Sequence, residues 1–153
     1  MIQSTEAGVP ELRAATSADL PAIKRLLQAS DLPTVGIDEA SCNLIVAEVD
    51  GDIVGVVGIE TCCGQYGLLR STAVADAWRG RRVGKLLVER AIAEAESRGF
   101  DALYLLTTTA EQYFPSFGLS KVERATLPDE VKATEEFRSA CPASATVMSL
   151  CLT

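Results

Sequence analysis

The chain contains no histidine at any of its 153 positions. That absence excludes a Ser-His-Asp triad, a Cys-His catalytic pair and every metal site that needs an imidazole ligand. Any proton transfer that the protein carries out must therefore use a carboxylate, a tyrosine, a thiol or ordered water. We expect no metal cofactor.

Cationic residues are scarce as well, and long apolar runs are missing. The 14 Lys and Arg residues face 21 Asp and Glu residues, which gives a formal net charge of −7. This balance argues against nucleic-acid binding, because such binding needs many cationic contacts to phosphates. Because the net charge is negative, it favours amine-bearing small molecules as partners. No apolar run approaches the roughly 18–20 residues of a membrane-spanning helix, so we expect no membrane association.

The five cysteines form no regular framework, and their number is odd. Residues 1–30 also lack the continuous apolar segment of a signal peptide, so we expect the protein in the reducing cytoplasm. The adjacent Cys62 and Cys63 leave a thiol-based metalloid site open as an alternative. Neighbouring strand residues point to opposite faces, however, and do not chelate easily.

Length and an apolar content of 48% predict one globular domain with a substantial core. Residues 1–10 show no periodicity, so we expect a flexible N-terminus there and a domain over residues 11–153. Alternation, helical periodicity and turn residues together predict an α/β (α+β) fold with a mixed sheet. The predicted strands cover 11–15, 43–48, 53–60, 67–74, 102–106, 119–124 and 145–152, and the predicted helices cover 16–30, 83–97, 108–114 and 128–140.

The segment RSTAVADAWRGRRVGKL, residues 70–86, carries the clearest functional signal. It predicts a strand, a short loop over 79–84 and a helix that begins near Val83. A loop of this kind directs backbone N–H groups to one spot at the positive end of the helix dipole. Three arginines and Lys85 surround that spot. We interpret the segment as a pyrophosphate-binding loop.

The order of the elements, together with the loop Arg79-Gly80-Arg81-Arg82-Val83-Gly84, resembles the GCN5-related N-acetyltransferase (GNAT) superfamily. The acetyl-CoA loop of that family reads Arg/Gln-x-x-Gly-x-Gly/Ala. Leu12 to Thr16 with Asp19-Leu20 resembles its first strand and helix cap, and AEQYFPSFGL at 110–119 resembles its late Ala-x-x-Phe-Tyr-x-x-x-Gly-Phe segment. LYLLTTTA at 103–110, with EEFRSACPASATVM at 135–148, is more narrowly similar to small GNAT proteins encoded beside bacterial arsenic-resistance genes.

The chain departs from the family pattern at two positions. Arg82 stands where the loop usually has its first glycine. Phe114 stands where the family often has a tyrosine that protonates the departing CoA thiolate, although Tyr113 is its neighbour in sequence. Aromatic residues at this spacing are more often part of a core than of a catalytic site.

The resemblance implies a single-domain fold with a mixed, mostly antiparallel central sheet and helices on both faces. It also implies an N-acetyltransferase that moves the acetyl group of acetyl-CoA to the primary amine of a small molecule by direct transfer in a ternary complex. An amino-acid-like toxic compound is the candidate acceptor. A free backbone N–H of the strand at 72–74 would donate a hydrogen bond to the thioester oxygen. The implied cofactor-binding residues are Thr72, Ala73 and Val74 in the strand that holds the pantetheine arm, and Arg79, Gly80, Arg81, Arg82, Val83, Gly84 and Lys85 in the loop.

The catalytic and acceptor-binding candidates lie around the same strand. Glu60 is the candidate general base, directly or through water, and the alternative is an exposed strand-end carboxylate. Arg70 and Ser71 alternate in direction, so one of them should face the cleft, where Arg70 can bind a substrate carboxylate or form a surface ion pair. Thr108 is a further substrate candidate, with helix capping as the alternative.

Two other functions remain open from the sequence. The chain is alternatively a non-catalytic acyl-CoA-binding or regulatory module, or a thiol-based metalloid-binding protein. The final strand is a candidate for pairing across a homodimer.

Overall fold

Seven strands form a single sheet in the computed structural model, which describes residues 10–32, 34, 37, 42–62, 64–107, 112–133 and 145–152. The strands are β1 (Glu11–Ala14), β2 (Cys42–Val49), β3 (Asp52–Cys62), β4 (Tyr66–Val74), β5 (Ala102–Thr107), β6 (Ser120–Lys121) and β7 (Thr146–Cys151), and the helices are α1 (Leu20–Ala29), α2 (Val83–Ser97) and α3 (Asp129–Lys132). The order across the sheet is β1-β2-β3-β4-β5-β7-β6. Only β4 and β5 pair in parallel within the described sheet. The predicted fold class is confirmed.

The β2–β3 hairpin turns through Asp50 and Gly51, as the Asp-Gly dipeptide predicts. Their φ angles are 51° and 86°. Two consecutive residues with positive φ match the twist of antiparallel strands, which is why Asp-Gly favours this turn. Val49 and Asp52 form the last residue pair of the hairpin.

Helix α1 covers one face of the sheet and is fixed at its start by a polar network. Thr16 and Asp19 form a capping box at the turn that precedes the helix. The Arg13 guanidinium donates hydrogen bonds to Asp19, 2.8 Å away, and to Glu48 on β2, 2.7 Å away. Inward, the helix packs a cluster of apolar residues that includes Ile23, Leu27, Val46, Val56 and Ala73.

Helix α2 covers the opposite face of the sheet. Successive residues of β2 belong alternately to the apolar cluster under α1 and to the cluster under α2, so the two helices lie on opposite faces. Leu87, Ala91 and Ala95 are fully buried there. The helix has the predicted bounds, and Gly99 follows it with a φ of 76°, as a C-terminal stop does.

The prediction is less accurate after β5. Pro115 does not end a helix: it lies in the first turn of a 3-10 helix over Phe114–Phe117, where its fixed φ is compatible and its missing N–H is not needed. Strand β6 has two residues instead of the predicted six, and α3 has four. Residues 1–9, 108–111 and 134–144, on which parts of the predictions fall, lie outside the described residues.

Within the described part of the chain, no helix is long and apolar enough to cross a membrane.

Candidate functional site

The main cavity exists because β4 and β5 separate. Their parallel pairing covers three residue pairs and ends at Leu68 and Tyr104. Further along β4 the pairing with β3 shifts between Val56 and Gly58, and Ser71 takes a φ of 58° at that irregularity. A bulge of this kind bends a strand and increases its twist. The two strands therefore open into a cavity of about 800 Å³.

The cavity is lined by most of the predicted site residues. All predicted cofactor-binding residues except Arg81 lie on its wall, together with Arg70 and Ser71. The Arg81 guanidinium instead lies over the ring of Trp78, 5.0 Å from its centroid. Thr108 falls outside the described residues. The further wall residues are Ser30, Leu32, Leu69, Trp78, Leu105, Leu106, Thr107, Tyr113 and Phe114.

The loop before α2 presents the start of this helix to the cavity. Gly80 and Arg82 both have positive φ, 80° and 67°, and Arg82 is the N-cap residue. Its side chain makes no capping hydrogen bond. The first N–H groups of a helix have no partner within the helix, and Val83, Gly84 and Lys85 lie on the cavity wall. Such a helix start suits a bound anion.

Every charged residue on the described cavity wall is cationic. These residues are Arg70, Arg79, Arg82 and Lys85, and no described Asp or Glu lines the cavity. The local charge is thus opposite to the net charge of −7. The sequence-based preference for positively charged partners does not describe this wall, which suits anionic groups instead.

Arg70 is buried at the base of the cavity, with a relative exposure of 4%. Its Nη1 donates to Oε1 of Glu60 at 3.0 Å, and its Nε donates to Oγ of Ser71 at 3.1 Å. A buried guanidinium needs such a carboxylate partner, so Glu60 stabilises Arg70 in this position. Glu60 itself is not among the described wall residues. Arg70 and Ser71 both line the cavity, because the positive φ of Ser71 interrupts the regular alternation of β4.

The two neighbouring aromatic residues differ in their surroundings. Phe114 is 7% exposed and belongs to the core, as predicted, whereas the core prediction is wrong for Tyr113, which is 42% exposed. Tyr113 lies on the cavity wall, a position that the sequence analysis did not predict. The Tyr113 hydroxyl lies 3.4 Å from the place that a Cβ atom on Gly84 would occupy. Burial and the negative charge of Glu89 raise the pKa of Tyr113, so its hydroxyl is protonated at neutral pH.

The described cysteines lie apart from this wall. Cys42 and Cys62 are buried and Cys151 is exposed. The Cys62 thiol donates to the carbonyl oxygen of Glu130 at 3.4 Å. No group of three potential His, Cys, Asp or Glu metal ligands occurs among the residues that the structure describes, and Cys63 lies outside them.

Residues 11–122 match the Acetyltransferase (GNAT) family. The chain belongs to this family. As a GNAT protein with this fold, it is an acetyl-CoA-dependent N-acetyltransferase.

Similar proteins include enzymes with named acetyltransferase activity. An amino-acid acetyltransferase of Mycobacterium tuberculosis is 28% identical over 80% of this chain and 75% of its own length. An uncharacterized N-acetyltransferase of Chlorobaculum tepidum is 26% identical over 78% of this chain and 81% of its own length. A crystal structure of a Mycobacterium tuberculosis protein in complex with CoA and NLQ has a TM-score of 0.79 and 24% identity, and the match covers 94% of this chain and all of that one. This last match shows the common fold.

Proposed function

We propose that this GNAT enzyme transfers the acetyl group of acetyl-CoA to the primary amine of a small acceptor that also carries a carboxylate, directly in a ternary complex. The observation that supports this acceptor class is Arg70, a buried cation on the described cavity wall, where no described Asp or Glu lies. An acceptor with a negative group is favoured there, and a polyamine is repelled. The similarity to a mycobacterial amino-acid acetyltransferase supports the same class.

The cofactor lies along β4 in this proposal. Its diphosphate occupies the positive start of α2, near Arg79, Arg82 and Lys85, where backbone N–H groups and side-chain cations both favour it. The pantetheine arm follows Thr72–Val74 in the gap between β4 and β5, and a backbone N–H there meets the thioester oxygen. Holding two reactants in line contributes up to about 7–11 kcal/mol to catalysis.

The acceptor occupies the end of the cavity near Arg70 and Ser71. The Arg70 guanidinium attracts the acceptor carboxylate, and the hydrogen bond that it donates to Glu60 fixes its orientation. Glu60 is also the proposed general base. Because it does not line the cavity among the described residues, it reaches the amine through water.

An amine panel tests the acceptor class. We expect release of CoA with α-amino acids, much slower release with the matching amino-acid amides, which lack the carboxylate, and none with polyamines. A preference for polyamines or for the amides would contradict the proposal. Calorimetric binding of acetyl-CoA without turnover of any amine would support the non-catalytic acyl-CoA-binding module instead.

Variants test the residue roles. We expect Arg79→Ala with Arg82→Ala to raise the Kd for acetyl-CoA, and Arg90→Ala, farther along α2 and outside the described wall, to leave it unchanged.

Glu60→Gln should lower kcat while acetyl-CoA binding persists. Unchanged turnover of this variant at every pH would exclude Glu60 as the base.

The link to arsenic resistance is a proposal that the family resemblance alone supports. We expect expression in an arsenic-sensitive bacterium to protect against an arsenical that carries a primary amine and a carboxylate. It should give no protection against arsenite, which has no amine. Equal protection against both compounds would favour the thiol-based alternative.

A further inference from the structure

We infer that Tyr113 positions the cofactor by donating a hydrogen bond from its hydroxyl to the diphosphate end of acetyl-CoA. The inference rests on the proposed placement of the cofactor. It assigns the hydroxyl to the binding of acetyl-CoA and not to the chemistry at the thioester sulfur.

The position of the hydroxyl carries the first part of the argument. A Cβ atom on Gly84 would lie 3.4 Å from the Tyr113 oxygen and 3.6 Å from a methyl carbon of Val74. The hydroxyl is therefore level with the first turn of α2 and with the last residue of β4. Ser71, at the acceptor end, is three residues back along the strand, which corresponds to about 10 Å. The hydroxyl is thus near the proposed diphosphate and distant from the acceptor end of the cavity.

The ring is held in place before any ligand arrives. It makes edge-to-face contacts with Phe114 and Phe117, each with a centroid distance of 5.2 Å. The Ser116 hydroxyl donates to the Tyr113 carbonyl oxygen at 2.9 Å and fixes the backbone. A side chain that is already ordered loses little conformational entropy when it binds.

The hydroxyl is also available as a donor. Among the described residues it has no hydrogen-bond partner, although the residue is more than half covered. A tyrosine hydroxyl keeps its proton at neutral pH, and burial and Glu89 raise the pKa of this one further. A polar tip at the cavity wall, beside the positive end of a helix, is placed to donate to a phosphate oxygen.

The variant Tyr113→Phe tests the inference, because it removes only the hydroxyl and keeps the ring contacts. Trp78 is the only tryptophan and lies on the cavity wall, so its fluorescence reports cofactor binding. We expect the Kd for acetyl-CoA to rise about tenfold, the size of one hydrogen bond to a charged group. At saturating acetyl-CoA, kcat and its pH profile should not change.

Acetyl-pantetheine, which lacks the diphosphate, identifies the end of the cofactor involved. We expect Tyr113→Phe to leave kcat/KM for this donor unchanged. Tyr104→Phe is the matched control, since this phenol lies outside the described cavity wall, and it should behave as wild type with both donors. Equal losses with both donors in Tyr113→Phe, or a lower kcat with an altered alkaline limb, would place the hydroxyl at the reacting end and overturn the inference.

The arginine variants separate the inference from the proposal beneath it. If Arg79→Ala with Arg82→Ala raises the Kd for acetyl-CoA and Tyr113→Phe does not, only the role of Tyr113 is wrong. If neither change affects the Kd, the placement of the cofactor itself is wrong.

Discussion

Arg82 combines an unfavourable backbone conformation with a favourable charge. Its φ of 67° and ψ of 16° place it in the left-handed region, where a side chain costs roughly 1–2 kcal/mol. A glycine would avoid this cost, and the related loops usually have glycine at this position. In the proposed complex, the Arg82 guanidinium at the cavity wall binds the cofactor diphosphate, and this gain in affinity compensates for the strained backbone. Stability and cofactor affinity therefore place opposite demands on this residue.

Arg82→Gly should separate these two demands. We expect the free energy of unfolding of Arg82→Gly to exceed that of Arg82→Ala by about 1 kcal/mol, because both changes remove the guanidinium but only glycine relieves the positive φ. The Kd for acetyl-CoA should increase in Arg82→Gly. Denaturant titration and calorimetry measure the two effects. If Arg82→Gly were less stable than Arg82→Ala, backbone strain at this position would be refuted.

Sequence reasoning at the residue scale succeeds where the signal is local. The glycines and cations of residues 79–85 lie next to one another, so the position of all of them but Arg81 on the cavity wall could be predicted. The position of both Arg70 and Ser71 on the wall of the same cavity could not be predicted, because it follows from a bulge in the pairing of β4 with β3. The position of Tyr113 on the cavity wall could not be predicted for a similar reason. Its hydroxyl meets Gly84 only after the chain has folded.

The same distinction holds for whole elements. Helix α2 has its predicted bounds because its apolar spacing and Gly99 are local features. Strand β6 is much shorter than predicted, since its length depends on where it meets β7. Among the described residues, Ser120 and Lys121 form its residue pairs with that strand. The separation of β4 from β5, which creates the site, is likewise a property of two strands distant in sequence.

The start of α1 should be sensitive to acid. The hydrogen bonds from Arg13 hold the pKa of Asp19 well below its usual range. A carboxylate whose pKa is lowered by folding stabilises the protein above its unfolded pKa, about 3.9, and this contribution is lost as the pH falls further. We expect Asp19→Asn to be less stable than wild type at neutral pH, and the difference to shrink below about pH 4.

Thermal unfolding over this pH range measures the difference. Asp52→Asn is the control, because this exposed carboxylate forms no ion pair among the described residues. A stability difference for Asp19→Asn that stayed constant down to pH 2 would show that the ion pair with Arg13 contributes nothing.

The packing of α2 on the sheet depends on Gly55. A Cβ atom there would lie 2.8 Å from Leu87 and 2.9 Å from Val83, closer than packed side chains allow. We expect Gly55→Ala to lower the free energy of unfolding by about 1–3 kcal/mol, the usual cost of an overpacked core. Gly84→Ala is the matched change, since a Cβ atom at Gly84 would have ordinary contacts. In denaturant titration, Gly84→Ala should lower the free energy of unfolding by less than Gly55→Ala does. Equal losses would show that the distance to α2 is not what constrains Gly55.

On the scale of the whole molecule, the cavity is a cationic site in an anionic protein. The net charge of −7 repels acetyl-CoA at long range, whereas Arg79, Arg82 and Lys85 attract its phosphates at short range. Salt screens both effects, but the phosphates lie close to the cations in the complex. The attraction should therefore dominate the salt dependence of binding.

We accordingly expect the KM for acetyl-CoA to rise as the salt concentration increases from about 0.01 M to about 1 M, over which the Debye length falls from about 30 Å to about 3 Å. The KM for acetyl-pantetheine should stay nearly constant, because this donor carries no phosphate. Arg79→Ala with Arg82→Ala should flatten the response to acetyl-CoA. A KM for acetyl-CoA that falls with salt would mean that the overall negative charge governs binding. An equal rise with both donors would mean that salt acts on the protein and not on the phosphate contacts.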